Sequence, residues 1–216
     1  MSAYHEVRVP QVERRQVLWR TLCDAYFQRL VSAGDTVLEL GCGYGDFINS
    51  IRCANKIAVD SWPGAAAHLN RDVRFHNGKV SDLHGVADRS VDFVFASNLF
   101  EHVSRDDFLR CLKEIRRVLR ETGTLNILQP NYRFCYDEYF DDYTHISIYS
   151  DRSLCDVLRV NGWQIVESKP RFLPLTVKSR LPVLPLLIRL YLASPIKPMA
   201  KQMLVRARPG DEPPRE

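Results

Sequence analysis

The sequence has no Cys-x-x-C pair and no histidine spacing that suits zinc, although it holds six cysteines, Cys23, Cys42, Cys53, Cys111, Cys135 and Cys155. A zinc ribbon and a disulfide framework are both disfavoured, and buried thiols in a reducing cytoplasm account for the six. No basic region followed by an apolar run begins the chain, so no secretory signal is expected and the protein reads as cytoplasmic. The stretch 181–192 is strongly apolar, yet it is too short and too interrupted by proline and arginine to span a bilayer. Charge excess is small: 30 Lys and Arg against 26 Asp and Glu leave +4, which gives no general case for a nucleic acid partner. No internal repeat or low-complexity tract appears. The 216 residues, 45% of them hydrophobic, suffice for one full core and fall short of two ordinary domains with linkers.

Against these absences one stretch stands out, Thr36-Val37-Leu38-Glu39-Leu40-Gly41-Cys42-Gly43-Tyr44-Gly45-Asp46. A short apolar strand that breaks into a glycine turn lets backbone N–H groups approach a ligand that side chains would hold off. The spacing is Gly-x-Gly-x-Gly; Asp46 stands where a dinucleotide fingerprint would carry its third glycine, so NAD is disfavoured. Glu39 would crowd a pyrophosphate but suits a ligand with an ammonium and a sulfonium, which describes S-adenosylmethionine. Ile57-Ala58-Val59-Asp60 then ends a second strand on a carboxylate nineteen residues after Gly41, a spacing suited to ribose hydroxyls.

These residues resemble the class I S-adenosylmethionine-dependent methyltransferases, whose first motif is an acidic residue followed by Gly-x-Gly-x-Gly at the end of the first strand. Glu39, Gly41, Gly43 and Gly45 fill that motif and Asp60 the second. The resemblance implies that Asp82, with Leu83, meets the adenine, and that Ser97 and Asn98, after the strand Val91–Ala96, lie where cofactor and acceptor meet. It runs from about Val12 to Arg208 and is closest to small bacterial enzymes loosely associated with glycan and surface-polymer biosynthesis. The implied fold is a doubly wound, mostly parallel seven-stranded α/β sheet with an antiparallel last strand.

Periodicity predicts a helix from Gln11 to Val31, strands near 36–40, 55–59, 73–76, 91–96, 123–128, 163–168 and 201–208, and helices near 46–53, 63–70, 105–120 and 151–161. Alternation of this kind gives a parallel sheet with helices on both faces. Residues 1–208 read as a single domain: the helix 11–31, a sheet core at 36–169 and 201–208, and an apolar, basic flap at 170–200. Residues 209–216 read as a disordered tail.

Chemistry belongs beyond the carboxyl ends of the strands. The loop 129–145 carries six aromatic rings and four carboxylates, which suits stacking and hydrogen bonding to a hydroxylated acceptor such as a saccharide. Tyr132, Arg133, Tyr136, Tyr139, Asp142 and Tyr143 are the candidate acceptor residues. His145 and His102 are the candidate general bases for a hydroxyl; each could equally cap a helix or fill a polar corner. No metal is expected, because the four loop carboxylates with His145 read as a solvated acidic loop rather than a Mg²⁺ site.

Pro170 to Arg208 contains eight Lys or Arg and no Asp or Glu. Lys178, Arg180, Arg189, Lys197 and Lys201 flank the apolar segment, which fits a flap over an anionic or lipid-linked acceptor or a contact with anionic membrane through 178–201. A helix packed on the domain, or on a partner in a homodimer, fits as well; monomer and homodimer both stay open. The amino-base nucleic-acid enzymes would show (Asp/Asn/Ser)-Pro-Pro-(Tyr/Phe) where this chain has Ser97-Asn98-Leu99-Phe100, and no Pro-Cys nucleophile occurs. Quinone, polyketide-type and amine acceptors remain alternatives, as does a non-catalytic binding protein on the same fold.

Overall fold

The computed structural model of the chain describes residues 12–175 and 183–210. Five strands, β1 (Thr36–Leu40), β2 (Asn55–Asp60), β3 (Val73–Asn77), β4 (Val91–Ser97) and β5 (Leu119–Pro130), run parallel. β7 (Gln202–Pro209) inserts antiparallel between β5 and β6 (Trp163–Leu173), giving the order β3-β2-β1-β4-β5-β7-β6. The mostly parallel seven-stranded sheet expected from the sequence is therefore present. Its order reverses between β1 and β4, which places a crevice beyond their carboxyl ends.

All five residues of β1 are buried, as a strand covered on both faces requires. Alternate residues feed two cores. Leu38, Leu40, Ile57, Val94 and Ala96 pack with α2 (Arg105–Val118) and α4 (Asp151–Val160), while Val37, Ala58, Phe93 and Phe95 face Leu22 of α1 (Val12–Ala25) and the ring of Phe27. Helix α2 starts where the sequence predicts. The Ser104 hydroxyl accepts from the Asp107 amide, Asp106 and Asp107 sit in the first turn, and Arg116 and Arg117 in the last, each favourable to the helix dipole.

Several boundaries differ from expectation. Gln11 lies outside the described residues, and α1 ends at Ala25. The ladder breaks at Tyr26 (φ −129°, ψ −64°), whose ring meets Phe172 and whose hydroxyl accepts from Lys169, before a single turn at Phe27–Arg29. The helix expected at 46–53 is a set of tight turns. The Ser50 N–H turns to the Phe47 carbonyl while its hydroxyl takes the Asp46 carbonyl at 2.7 Å, and Glu39 accepts the first-turn Ile48 N–H at 3.0 Å. Residues Pro63–His68 form a 3₁₀ segment. α2 stops at Val118, because β5 begins directly at Leu119 rather than near 123. A four-residue helix α3 (Tyr132–Cys135) starts the acceptor loop.

β6 extends to Leu173, so the connector to β7 is shorter than the flap drawn from the sequence. It contains α5 (Pro185–Ala193), which packs against α1 through buried Ile188. Lys178 and Arg180 lie outside the described residues, as does the tail from 211 onward. Pro209 and Gly210 are not tail: the first ends β7, and the Gly210 N–H donates to the Gly162 carbonyl at 2.9 Å.

Phe95 is fully buried, with ring centroids 4.0 Å from Phe47 and 5.0 Å from Phe27. Phe95→Ala is expected to lower the unfolding free energy by ~3–5 kcal/mol through lost burial and a cavity. Urea denaturation reads this as a lower midpoint at unchanged slope.

Candidate active site

Where β1 leaves the sheet the backbone turns sharply, and Gly41, Gly43 and Gly45 adopt φ of 66°, 50° and 70°. Glycine takes such angles with least strain. A Cβ on Gly41 would lie 2.8 Å from Leu99 Cδ1, and one on Gly45 would lie 2.4 Å from Leu69 Cδ2. The Gly41 N–H donates to the Val59 carbonyl at 2.8 Å, tying the turn to the end of β2. Asp60, 8% exposed, closes the other side: one carboxylate oxygen accepts from the Gly43 N–H and the other from the Trp62 N–H, both at 2.8 Å. The two sequence motifs thus meet. Glu39 lies beneath them, 5% exposed, and grips the turn through Ile48. Burial pushes its carboxyl well above the usual carboxylate range, with Asp46 and Asp60 adding to the effect.

Trp62, which the sequence reading passed over, stands two residues after Asp60 and forms an aromatic trio with Tyr44 (5.4 Å) and His68 (5.6 Å). On the outer side of the turn, Arg15 of α1 pairs with Asp46 and lies 4.4 Å over the Tyr44 ring. A cavity of about 570 Å³ opens there, lined among others by Arg15, Arg20, Tyr44, Asp46 and His68. Neither Asp60 nor the candidate histidines line it.

Ser97 and Asn98 fall at the carboxyl end of β4, next to the turn through Leu99. Asn98 has φ 48°, its N–H donates to the Leu128 carbonyl, and its Oδ1 accepts from Gln202 Nε2, both at 2.8 Å. After Leu128, which pairs with Ser97, Gln129 is fully buried with both amide atoms unpartnered, as is Gln202 Oε1. Buried polar atoms of this kind are costly unless something else completes them.

Asp82 and Leu83 are placed differently from the rest. Asp82 is exposed, its carboxylate 2.8 Å from His84 Nδ1, which holds it below the usual range. It lines a shallow cleft with Arg110, Lys113 and Arg117. Leu83 is buried, and its N–H donates to the Glu114 carboxylate at 3.1 Å. Among the described residues no hydrogen bond or ion pair joins Asp82 to the glycine turn or to Asp60.

The loop 129–145 separates into a fastened and an exposed part. Arg133 pairs with Asp151 at 2.9 Å, and the Asn131 amide donates to the same carboxylate and to the Pro170 carbonyl. Tyr139 is 2% exposed, lies 5.2 Å from Tyr132, and its hydroxyl donates to the Ser147 carbonyl. These are packing roles. Tyr136 and Tyr143, by contrast, are 66% and 78% exposed. Of the loop carboxylates, Glu138 pairs with Lys201, and Asp142 accepts from the Thr144 hydroxyl.

The two candidate bases do come together, with ring centroids 4.8 Å apart. His145 Nδ1 lies 2.6 Å from the Tyr139 carbonyl, and His102 Nδ1 lies 2.9 Å from Thr144 Oγ1 and 3.3 Å from the Thr144 carbonyl. A carbonyl only accepts, so each Nδ1 carries the proton and the lone pair of each neutral ring is on Nε2. Beside them sits Glu101, 1% exposed, with both carboxyl oxygens unpartnered. Burial, with a contribution from Asp142, pushes its carboxyl up to about 8. The sequence reading treated Glu101 only as a neighbour of His102.

Residues 38–127 match the family model described as a methyltransferase domain. An uncharacterized protein of Methanocaldococcus jannaschii is 30% identical over 153 residues, 68% of this chain and 64% of that protein. A Mycobacterium tuberculosis protein named as a probable S-adenosylmethionine-dependent methyltransferase is 35% identical over 121 residues, 52% of this chain and 43% of that protein. The chain therefore spans less than two thirds of the length of these curated relatives. The crystal structure of a SAM-dependent methyltransferase from Archaeoglobus fulgidus has the same fold, with a TM-score of 0.69 at 18% identity over 96% of this chain and 98% of that one. The stretch 38–127, which holds the glycine turn at the switch point and ends β2 on the carboxylate that closes it, is thus the part of the chain that is similar to the methyltransferase-domain family.

Proposed function

We propose that the protein transfers a methyl group from S-adenosylmethionine to a hydroxyl of a saccharide, lipid-linked glycan or other small acceptor bound beyond β4 and β5. The observation that carries this reading is the joining of Asp60 to Gly43 at the point where the sheet order reverses. A carboxylate offers about four lone-pair sites, and the two backbone N–H groups on Asp60 leave room for both ribose hydroxyls. Trp62, beside it, offers an aromatic face to a purine. The glycine turn is assigned to the cofactor's amino acid end, with Ser97 and Asn98 at the neighbouring end of β4 beside it. Asp82 and Leu83 reach the adenine only if the segment after β3 shifts.

The bound cofactor supplies an electrophilic methyl on a sulfonium, so alignment and exclusion of water carry much of the rate. The exposed rings of Tyr136 and Tyr143 suit stacking against a sugar, and Tyr132 and Asp142 are the further acceptor candidates on the same loop. His102 and His145, each with its basic lone pair on Nε2, are the groups placed to receive a hydroxyl proton. Calorimetry is expected to show binding of S-adenosylmethionine and S-adenosylhomocysteine and none of NAD. Asp60→Ala should weaken cofactor binding by ~2–4 kcal/mol, since two charge-assisted hydrogen bonds are lost. Unchanged affinity in a folded variant removes Asp60 from the site.

The connector between β6 and β7 leaves the sheet on the same edge as the site, where Asn131 N–H bonds Lys201 O and Lys201 N–H bonds Leu173 O. Leu184, Leu186, Leu187, Leu190, Ile196 and Met199 are all exposed on it. No helix among the described residues is long and apolar enough to cross a membrane. This apolar face fits peripheral contact with anionic membrane, but its charge is weaker than the sequence implied: Lys201 is paired with Glu138, and Lys197 donates to the Tyr191 and Leu192 carbonyls. Cosedimentation with anionic vesicles at low salt is expected, with Leu187→Ser/Leu190→Ser reducing it more than added salt does. Protein that stays in the supernatant leaves α5 as a lid or subunit contact.

A further inference from the structure

We propose that Glu101, His102 and His145 form a binding site for one divalent transition-metal ion of the Zn²⁺, Mn²⁺ or Co²⁺ kind. Among the described residues these three are the only His, Cys, Asp or Glu group close enough to share an ion, with one ligand atom from each lying within 4.8 Å of the others. Bonds of about 2.1 Å put tetrahedral ligands ~3.4 Å apart, so the ligand atoms draw together by up to about 1.4 Å around the ion.

Glu101 makes the second observation. Its carboxyl is enclosed by protein, and neither oxygen has a hydrogen-bond partner. The donors that reach this residue, the Ile146 and Ser147 N–H groups, bond its backbone carbonyl instead. An unpartnered buried carboxylate is costly, and a cation between it and two imidazoles removes the cost.

The histidines are also held as ligands are. Metal-bound imidazoles donate their second ring N–H to a carbonyl or carboxylate, which fixes the tautomer and raises ligand basicity. His145 does so to the Tyr139 carbonyl, and His102 does so to Thr144, whose hydroxyl in turn donates to Asp142. Two nitrogens and one oxygen select a first-row transition cation over Mg²⁺ or Ca²⁺, which prefer oxygen shells. Three protein ligands leave a fourth position for water or an oxygen of the acceptor. That last role rests on the methyl-transfer reading and replaces the histidines' role as proton acceptors, because the bound ion takes both Nε2 lone pairs; binding of the ion rests on neither.

The test uses the full chain, stripped with chelator and titrated with Co²⁺, whose visible bands report a four- or five-coordinate site. One Co²⁺ per chain is expected, displaced by Zn²⁺ and not by millimolar Mg²⁺. Glu101→Gln keeps the volume of a buried side chain, and His145→Ala changes a loop residue. Each should weaken Co²⁺ binding by more than the ~10–100-fold that loss of an outer partner costs, with circular dichroism unchanged. S-Adenosylmethionine affinity, measured on the same variants, should stay within about twofold of the parent, which separates failure here from failure of the cofactor reading. Absence of the bands in the parent overturns the site. So does binding that survives both substitutions, since the ion then sits on other histidines such as His68 or His84.

Discussion

A hydrogen bond from the Ile48 amide to the Glu39 carboxyl fastens the turn after β1 to the strand that launches it. Because Glu39 is buried, the bond is made in a medium where it counts for more than in water. The segment from Tyr44 onward curls into turns, and Phe47, Ile48 and Ile51 drop into the core against β1 and β4. The glycines above it hold positive φ, and Gly43 presents its N–H to Asp60. Strand, turn and carboxylate form one unit whose geometry is fixed before any ligand arrives.

How much of this was legible in the sequence follows the range of the interactions. β1, the glycine turn and Asp60 are encoded by local spacing, and so is the Ser104 cap of α2; all four stand where the residues put them. The helix expected at 46–53 is reduced to turns, in which the Ser50 N–H goes to the Phe47 carbonyl while the Ser50 hydroxyl takes the Asp46 carbonyl, a competition no hydrophobic period reveals. Arg133 looked like an acceptor contact on the strength of its loop, yet its charge is spent on Asp151, eighteen residues away in sequence. Lys201 looked like part of an unopposed basic flap, and Glu138, sixty-three residues earlier, opposes it. Glu101 was hidden for the same reason: adjacent to His102 in the chain, it gains meaning only when the loop brings His145 alongside.

The acceptor face accordingly has two kinds of residue. Asn131, Arg133, Tyr139 and Ser147 nail the loop to β6, to α4 and to the segment after β4, and their value is rigidity. Tyr136, Phe140 and Tyr143 project from that frame with their rings in solvent. If the loop binds the acceptor as proposed, selectivity belongs to the second group, which changes at little cost to the fold, and the first group holds the frame. Sites built on a rigid scaffold with a variable rim commonly divide their labour this way.

Cys42 lies between Gly41 and Gly43, in the middle of the cofactor motif, and is only 5% exposed. Burial raises its thiol far above the ordinary range, and the neighbouring Glu39 and Asp60 carboxyls push it the same way. Oxidants and alkylating agents attack the thiolate, so this sulfur is close to inert while the turn stays closed. The protein thus carries a cysteine at its most sensitive point with little exposure to oxidative damage, and the rate at which that sulfur reacts is a clock for how often the turn opens.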